Sequence, residues 1–320
     1  DQFAENLEHL KNKADSIGFC FSYPMEIQQD GDGVLLGFSK EVKAPEVVGC
    51  RIGQCLKEAL ANHGWNPVKQ VTMLNDTVAA LLAGYAAPSN GNCYSSYIGF
   101  ILGTGMNAAY IQDKLNESFT KQIVVCESGK TRCVQRSDFD ILLDKRTVKP
   151  GTFYMEKLCS GAYMGPVAFE AVRFACKDGL FTPNFSYNLQ KLERLTTIDI
   201  NQFLCGPYNT ESVLGRAAIM SATPEDYDRL YQILDSIVER SARYAAAILS
   251  ACVIQSGAGT NASKPVCILC NGTTFFKTHM IMNRVFGYLD TVLTKERGLY
   301  WKVVSLEDDI TLGTAIAAFR

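Results

Sequence analysis

Val71-Thr-Met-Leu-Asn-Asp-Thr-Val-Ala-Ala-Leu-Leu-Ala-Gly84 opens as an apolar run, meets Asn75-Asp76-Thr77, and then sets Val78, Leu81, Leu82 and Tyr85 at helical spacing. This predicts a strand, a sharp turn, and a helix starting at Asp76 or Thr77. A carboxylate at the carboxyl end of a buried strand, beside a helix start, lies where open α/β sheets bind ligands. Such a group can take a proton from a hydroxyl. Asn, Asp and Thr are also good helix caps, which is their commoner use.

Outward from this stretch, strands and helices alternate. Toward the N-terminus we expect a helix over 1–16, strands at 17–24 and 34–39 around a turn at 29–33, and a helix over 48–63. Strand 68–74 and helix 77–86 follow. A strand pair at 96–102 and 107–111 turns at Gly103-Thr-Gly105, and 121–127 is another strand. Residues 128–151 read as polar loop. Residues 154–176 read as a long helix broken or bent around Gly161 and Gly165-Pro166. Residues 177–225 read as helical insertions, and 224–255 as a long Ala-rich helix. Strand 265–270, helix 275–295, strand 301–305 and helix 311–319 complete an α/β chain with no long repeat.

The 320 residues are 47% apolar and 20% charged, enough for a sizeable core. A formal net charge of -2 leaves no footprint for nucleic acid, and no apolar run is long enough for a membrane span. The 12 cysteines are scattered, mostly within apolar segments, which suits free thiols in a reducing, cytoplasmic setting. Cys267 and Cys270 form a CxxC inside an apparent core strand, without a second pair or a nearby histidine. Three isolated histidines, His9, His63 and His279, argue against a His-based metal site or a Ser/His/Asp triad.

Two glycines in Gly103-Thr-Gly105 let backbone approach a ligand, and successive amides suit phosphate. An ordinary tight turn is the commoner use of that pattern. Asn271-Gly-Thr-Thr274 sets two hydroxyls at a helix start, where anions are favoured. Glu127, Glu156 and Ser39-Lys40 are uninformative singly. Their order is not.

In that order the chain resembles the eukaryotic-type hexokinases and glucokinases of the actin-like ATPase superfamily. Phe19-Cys-Phe-Ser-Tyr-Pro24 resembles the family's Phe-Ser-Phe-Pro, and Gly33-Val-Leu-Leu-Gly-Phe-Ser-Lys40 its Gly-Ile-Leu-Leu-x-Trp-Thr-Lys. Asn75-Asp-Thr-Val-Ala79 is identical to the catalytic stretch. Gly103-Thr-Gly-Met-Asn-Ala108 resembles a phosphate loop, Cys126-Glu-Ser-Gly129 stands for Thr-Glu-Trp-Gly, and Pro150-Gly-Thr-Phe-Tyr-Met-Glu-Lys157 matches Pro-Gly-x-x-x-x-Glu-Lys. Asn271-Gly-Thr273 stands for Asp-Gly-Ser or Asp-Gly-Thr, and 307–315 resembles the final acidic turn and helix. Residues 177–225 match poorly.

The resemblance implies a two-lobed α/β fold of the ribonuclease H-like type, with the small lobe at 1–74 and 308–320 and the large lobe at 75–307. It implies ATP-dependent phosphorylation of a hexose such as glucose at its 6-hydroxyl, with Mg2+. Asp76 would be the base. Ser39, Lys40, Asn75, Asn107, Glu127 and Glu156 would bind sugar; Gly103, Thr104 and Gly105 phosphates; Gly272 and Thr273 the adenosine side. The family's first phosphate hairpin, Leu-Asp-x-Gly-Gly-Thr, finds no counterpart. The chain is therefore expected to start inside the fold and to bind ATP poorly alone. Truncation, proteolysis and a separate N-terminal segment completing the small lobe all remain open. So do a non-catalytic hexose sensor and an actin-like ATPase with another acceptor.

Overall fold

The computed structural model describes residues 1–38, 44–86, 91, 93–116, 119–219 and 221–319. The expected helix over 1–16 is only α1 (Gln2–Asn6) followed by a 3-10 turn at Glu8–Leu10. Asn12 takes a left-handed backbone, φ 60°, which ends the helical path. Strand β1 (Ser16–Cys20), the hairpin β2 (Met25–Ile27) and β3 (Gly33–Leu35), α2 (Ile52–Asn62) and β4 (Gln70–Leu74) follow. The short β2 was not expected. β1 and β4 pair in parallel with Cys20 opposite Leu74, which brings the end of β1 beside Asn75.

Helix α3 (Asp76–Ala86) leads to β5 (Ser96–Leu102), β6 (Met106–Asn116) and β7 (Phe119–Val125). The segment 128–151, expected as loop, contains α4 (Asp138–Arg146), capped by a Ser137–Asp140 capping box. The helix over 154–176, expected to break or bend around Gly161, is two: α5 (Tyr154–Cys159) and α6 (Gly161–Lys177), separated by extended Ser160. Pro166 lies within α6.

Three short helices, α7 (Pro183–Gln190), α8 (Thr197–Cys205) and α9 (Val213–Ile219), precede the 33-residue α10 (Pro224–Ser256). Strand β8 (Val266–Asn271), α11 (Thr273–Lys277), α12 (Ile281–Leu289), β9 (Trp301–Val304) and α13 (Asp309–Ala318) complete the chain. The helix expected over 275–295 is broken at Met280, φ 57°.

Five strands form one sheet in the order β7-β6-β5-β8-β9; β5, β6 and β7 are antiparallel, and β5, β8 and β9 parallel. In β5, Ile98, Phe100 and Leu102 face one side, where the main core gathers residues of α5, α6, α10 and α12. Gly99 faces the other side, toward α3. In β8, Leu269 packs on Ala80 and Ala83 of α3 while Ile268 and Cys270 join the main core. Cys267 and Cys270, three apart on one strand, therefore point to opposite faces.

Helix α3 is gripped from both sides. A Cβ on Gly99 would stand 2.1 Å from the Thr77 carbonyl oxygen, and one on Gly313 of α13 would stand 1.8 Å from that of Ala79. Helix α13 thus packs against α3 on one side and β1 and β4 on the other. Gly313→Ala forces a methyl into helix backbone. We expect it to lower unfolding free energy by about 1–3 kcal/mol, read by urea titration; an unchanged midpoint would contradict this packing.

Candidate active site

Asn75 follows β4 and Asp76 opens α3. The Asn75 side chain does the capping: its Oδ1 accepts from the Thr77 amide at 2.9 Å and also from the Thr77 hydroxyl. Asp76 Oδ1 accepts from the Thr77 amide at 2.8 Å. Asn107 Nδ2 donates to Thr77 Oγ1 at 3.3 Å, and Asn107 Oδ1 accepts from the amides of Ala108 (2.9 Å) and Ser128 (3.2 Å). A continuous chain of hydrogen bonds thus joins the β4–α3 turn, β6, and the loop after β7.

Asp76 faces a cleft of about 840 Å³ whose walls also include Asn75, Thr104, Gly105, Asn107, Glu127 and Glu156. Burial first, and then the negative charge of Asp76, push the nearby Cys20 thiol up to about 11. Glu127 sits in a left-handed backbone, φ 49°, and pairs with Lys130 at 2.7 Å. Both side chains are over two-fifths exposed, so the pair contributes at most about 1 kcal/mol. Lys130 also stands 5.9 Å from the Phe153 ring centre. Glu156, in the first turn of α5, accepts from the Met106 amide at 3.4 Å. A Cβ on Gly105 would meet Glu156 Oε2 at 2.6 Å, so a side chain there would push the Glu156 carboxylate aside.

Gly103, Gly272 and Thr273 are not among the residues that line the cleft, and Gly272 packs on the backbone of Leu102 and Gly103. Gly272, φ 113°, lies so close that a Cβ there would be 2.2 Å from the Leu102 carbonyl oxygen. Gly103 O accepts from the Gly161 amide (2.8 Å) and Thr274 Oγ1 (3.0 Å), and Thr104 O accepts from the Ala162 amide (3.1 Å). Carbonyl and amide point oppositely across a trans peptide. The Thr104 and Gly105 amides are therefore aimed away from α6. Of the two hydroxyls expected at the 271–274 turn, Thr274's is spent on the fold. Ser39 and Lys40 lie outside the described residues.

Sequence reasoning passed over Lys130, which reads as a solvated charge. Ser22, Tyr23 and Lys157 also line the cleft, and each lies within a segment quoted above for its family resemblance. Lys157 is buried and donates to Asp144 Oδ1 at 2.5 Å and to the Lys149 carbonyl at 2.7 Å. Asp144 also accepts from the Gly151 amide at 3.1 Å and pairs with Arg136 at 3.3 Å. This network ties α4 and the 149–151 turn to α5 beneath Glu156.

Family models described as hexokinase match residues 1–86 and 97–320. The chain belongs to the hexokinase family. Hexokinase-1 of Schizosaccharomyces pombe is 25% identical over 337 residues, covering 99% of this chain and 67% of that protein. Hexokinase-2 of Equus caballus is 30% identical over 264 residues, covering 78% of this chain and 28% of that protein. The chain spans about a quarter of the length of the vertebrate relatives it matches. Among solved structures, a Schistosoma mansoni hexokinase complexed with glucose superposes with a TM-score of 0.80 at 23% identity, covering 100% of this chain and 73% of that one. A ROK hexokinase from Thermus thermophilus gives 0.53 at 14% identity, covering 99% and 86%. The fold is the two-lobed actin-like ATPase fold. No helix among the described residues is long and apolar enough to cross a membrane.

Burial opposes ionisation of Asp144, but the Lys157 and Gly151 hydrogen bonds and the Lys157 and Arg136 charges outweigh it, holding the carboxyl below its usual range. Its contribution to stability is therefore present above the ordinary carboxylate pKa and lost as pH falls through the depressed folded value. Lys157→Met, which takes one cation from the buried carboxylate while Arg136 and the Gly151 amide remain, should cost about 1–3 kcal/mol near neutrality. The unfolding free-energy gap between wild type and Asp144→Asn should narrow as pH falls from about 7 to 3. Chemical denaturation across that range checks both; a gap independent of pH would refute the pairing.

Proposed function

We propose that this protein phosphorylates the 6-hydroxyl of a hexose, glucose being the substrate of choice for testing, with Asp76 as general base. One observation carries the reading. A carboxylate at the carboxyl end of β4 shares a single cleft with two further carboxylates and two carboxamides. A sugar ring presents hydroxyls that both donate and accept. Glu127 and Glu156 accept, and Asn75 and Asn107 do both. A site that pairs with each hydroxyl rejects analogues lacking one.

Asn75 and Asn107 are held by Thr77, so their orientation is fixed before a ligand arrives. Capping by Asn75 satisfies the start of α3 and leaves the Asp76 carboxylate facing the cleft. There it accepts the hydroxyl proton as the oxygen attacks phosphorus. The Thr104 and Gly105 amides, aimed away from α6, are donors for an ATP phosphate, and the absence of Cβ at Gly272 keeps that turn in place at the end of β5. Bound Mg2+ would supply charge neutralisation on the transferred phosphoryl group. No cluster of three metal-ligating side chains occurs among the described residues. Mg2+ carried on nucleotide phosphates needs none, because it keeps several waters and takes one or two carboxylates.

Asp76→Ala is expected to lower phosphoryl transfer by about 10²–10⁴-fold while glucose still binds. Coupled ADP-release kinetics and calorimetry separate the two effects. Near-normal turnover in the variant would remove Asp76 from the role of base. Glucose binding without phosphoryl transfer in the unaltered protein would favour a hexose sensor instead.

A further inference from the structure

Cys126 and Cys252 are far apart in sequence, yet their sulfurs lie 3.7 Å apart. Cys252 is buried in the core along α10. Cys126 directly follows β7, is half-buried, and donates its amide to the Ala108 carbonyl at 2.8 Å. The next residue is Glu127, which lines the cleft. Cys267 and Cys270, on opposite faces of β8, have no comparable approach.

We propose that Cys126 and Cys252 form an oxidisable dithiol whose reagent is a hydroperoxide and whose disulfide draws Glu127 out of its place in the cleft. The first part is independent of the reading of the cleft; the effect on ligand rests on the hexose reading above.

The hydrogen bond from Cys252 lowers Cys126 against the opposing effect of burial, while Cys126 and burial push Cys252 up. Cys126 is also the more exposed of the two sulfurs, so it is the one a peroxide reaches and the attacking thiolate. Its sulfur bonds to the distal peroxide oxygen, the O–O bond breaks, and the departing oxygen takes a proton. The Cys252 sulfur then bonds to the Cys126 sulfur. The S–O bond breaks, and hydroxide leaves as water with the Cys252 proton. Two thiols lose two electrons and two protons; hydrogen peroxide becomes two waters.

A disulfide is about 2 Å long, so the sulfurs must close by about 1.7 Å. Cys252, near the C-terminal end of α10, is held by burial in the core. Cys126 leads into a loop with a left-handed Glu127, and it yields. Glu127 moves with it, and the Ser128 amide loses its 3.2 Å bond to Asn107.

The test is hydrogen peroxide on the full reduced protein. We expect a non-reducing peptide map to link the Cys126 and Cys252 peptides. Deuterium uptake across 127–130 should rise, and glucose affinity should fall about tenfold or more, as for one lost hydrogen bond to a charged group. A thiol reductant should reverse all three. Cys126→Ser and Cys252→Ser should each abolish the peroxide response. Absence of the linked peptide would overturn the proposal, and so would a linked peptide with unchanged uptake. Failure of the reduced protein to bind glucose would count against the hexose reading alone, because the map and the uptake still decide the dithiol.

Discussion

The Thr77 hydroxyl is the point on which the cleft depends. It donates to Asn75 and accepts from Asn107, whose own oxygen accepts from Ser128. Three segments distant in sequence are thereby set in register around one buried side chain. A hydroxyl both gives and takes, so it can sit mid-chain where a carboxylate or an ammonium could not. Every member is polar and at least half shielded, and a buried polar group without its partner costs more than its bond contributes. The arrangement is therefore stiff, and a stiff frame lets side chains present fixed donors and acceptors to a ring of hydroxyls.

That frame holds only because backbone approaches backbone. Gly99 and Gly313 let β5 and α13 close on the first turns of α3, and Thr77 is carried to its place between them. Side chains at either glycine would push the helix outward and lengthen the Asn107–Thr77 bond, already 3.3 Å. Packing at the helix and geometry at the cleft are one constraint seen at two places. The buried Asp144–Lys157 pair serves the other wall in the same way, fixing α5 so that Glu156 meets the backbone of Gly105.

Much of this was legible in the residues. The apolar run 71–74 and the helical spacing beyond it fix β4 and α3, because a strand of alternating burial and a helix with a packed face differ in period. Five of the cleft residues, Asn75, Asp76, Asn107, Glu127 and Glu156, come from motifs whose order carried more than any one alone. What stayed hidden depends on tertiary contact. Helix α4 was masked by the charges of Asp138, Asp140, Asp144 and Arg146, although Ser137 with Asp140 is a capping box. The meeting of Cys126 with Cys252 joins positions with no local relation, and no periodicity announces such a pair.

The 103–105 turn shows how a helix start can serve the fold in place of a ligand. A helix start is a ready anion site because its first amides lack partners. Here the first amides of α6, at Gly161 and Ala162, are already given to the carbonyls of Gly103 and Thr104, and Thr274 gives its hydroxyl to Gly103 as well. The helix start therefore holds the turn. With those carbonyls fixed on one side, peptide planarity sets the Thr104 and Gly105 amides on the other. The donors left for an anion belong to the glycine turn, and the helix acts through it. This is why glycine is needed at 272: a Cβ there would press on the Leu102 carbonyl and the Gly103 amide and lift the turn from the wall that aims it.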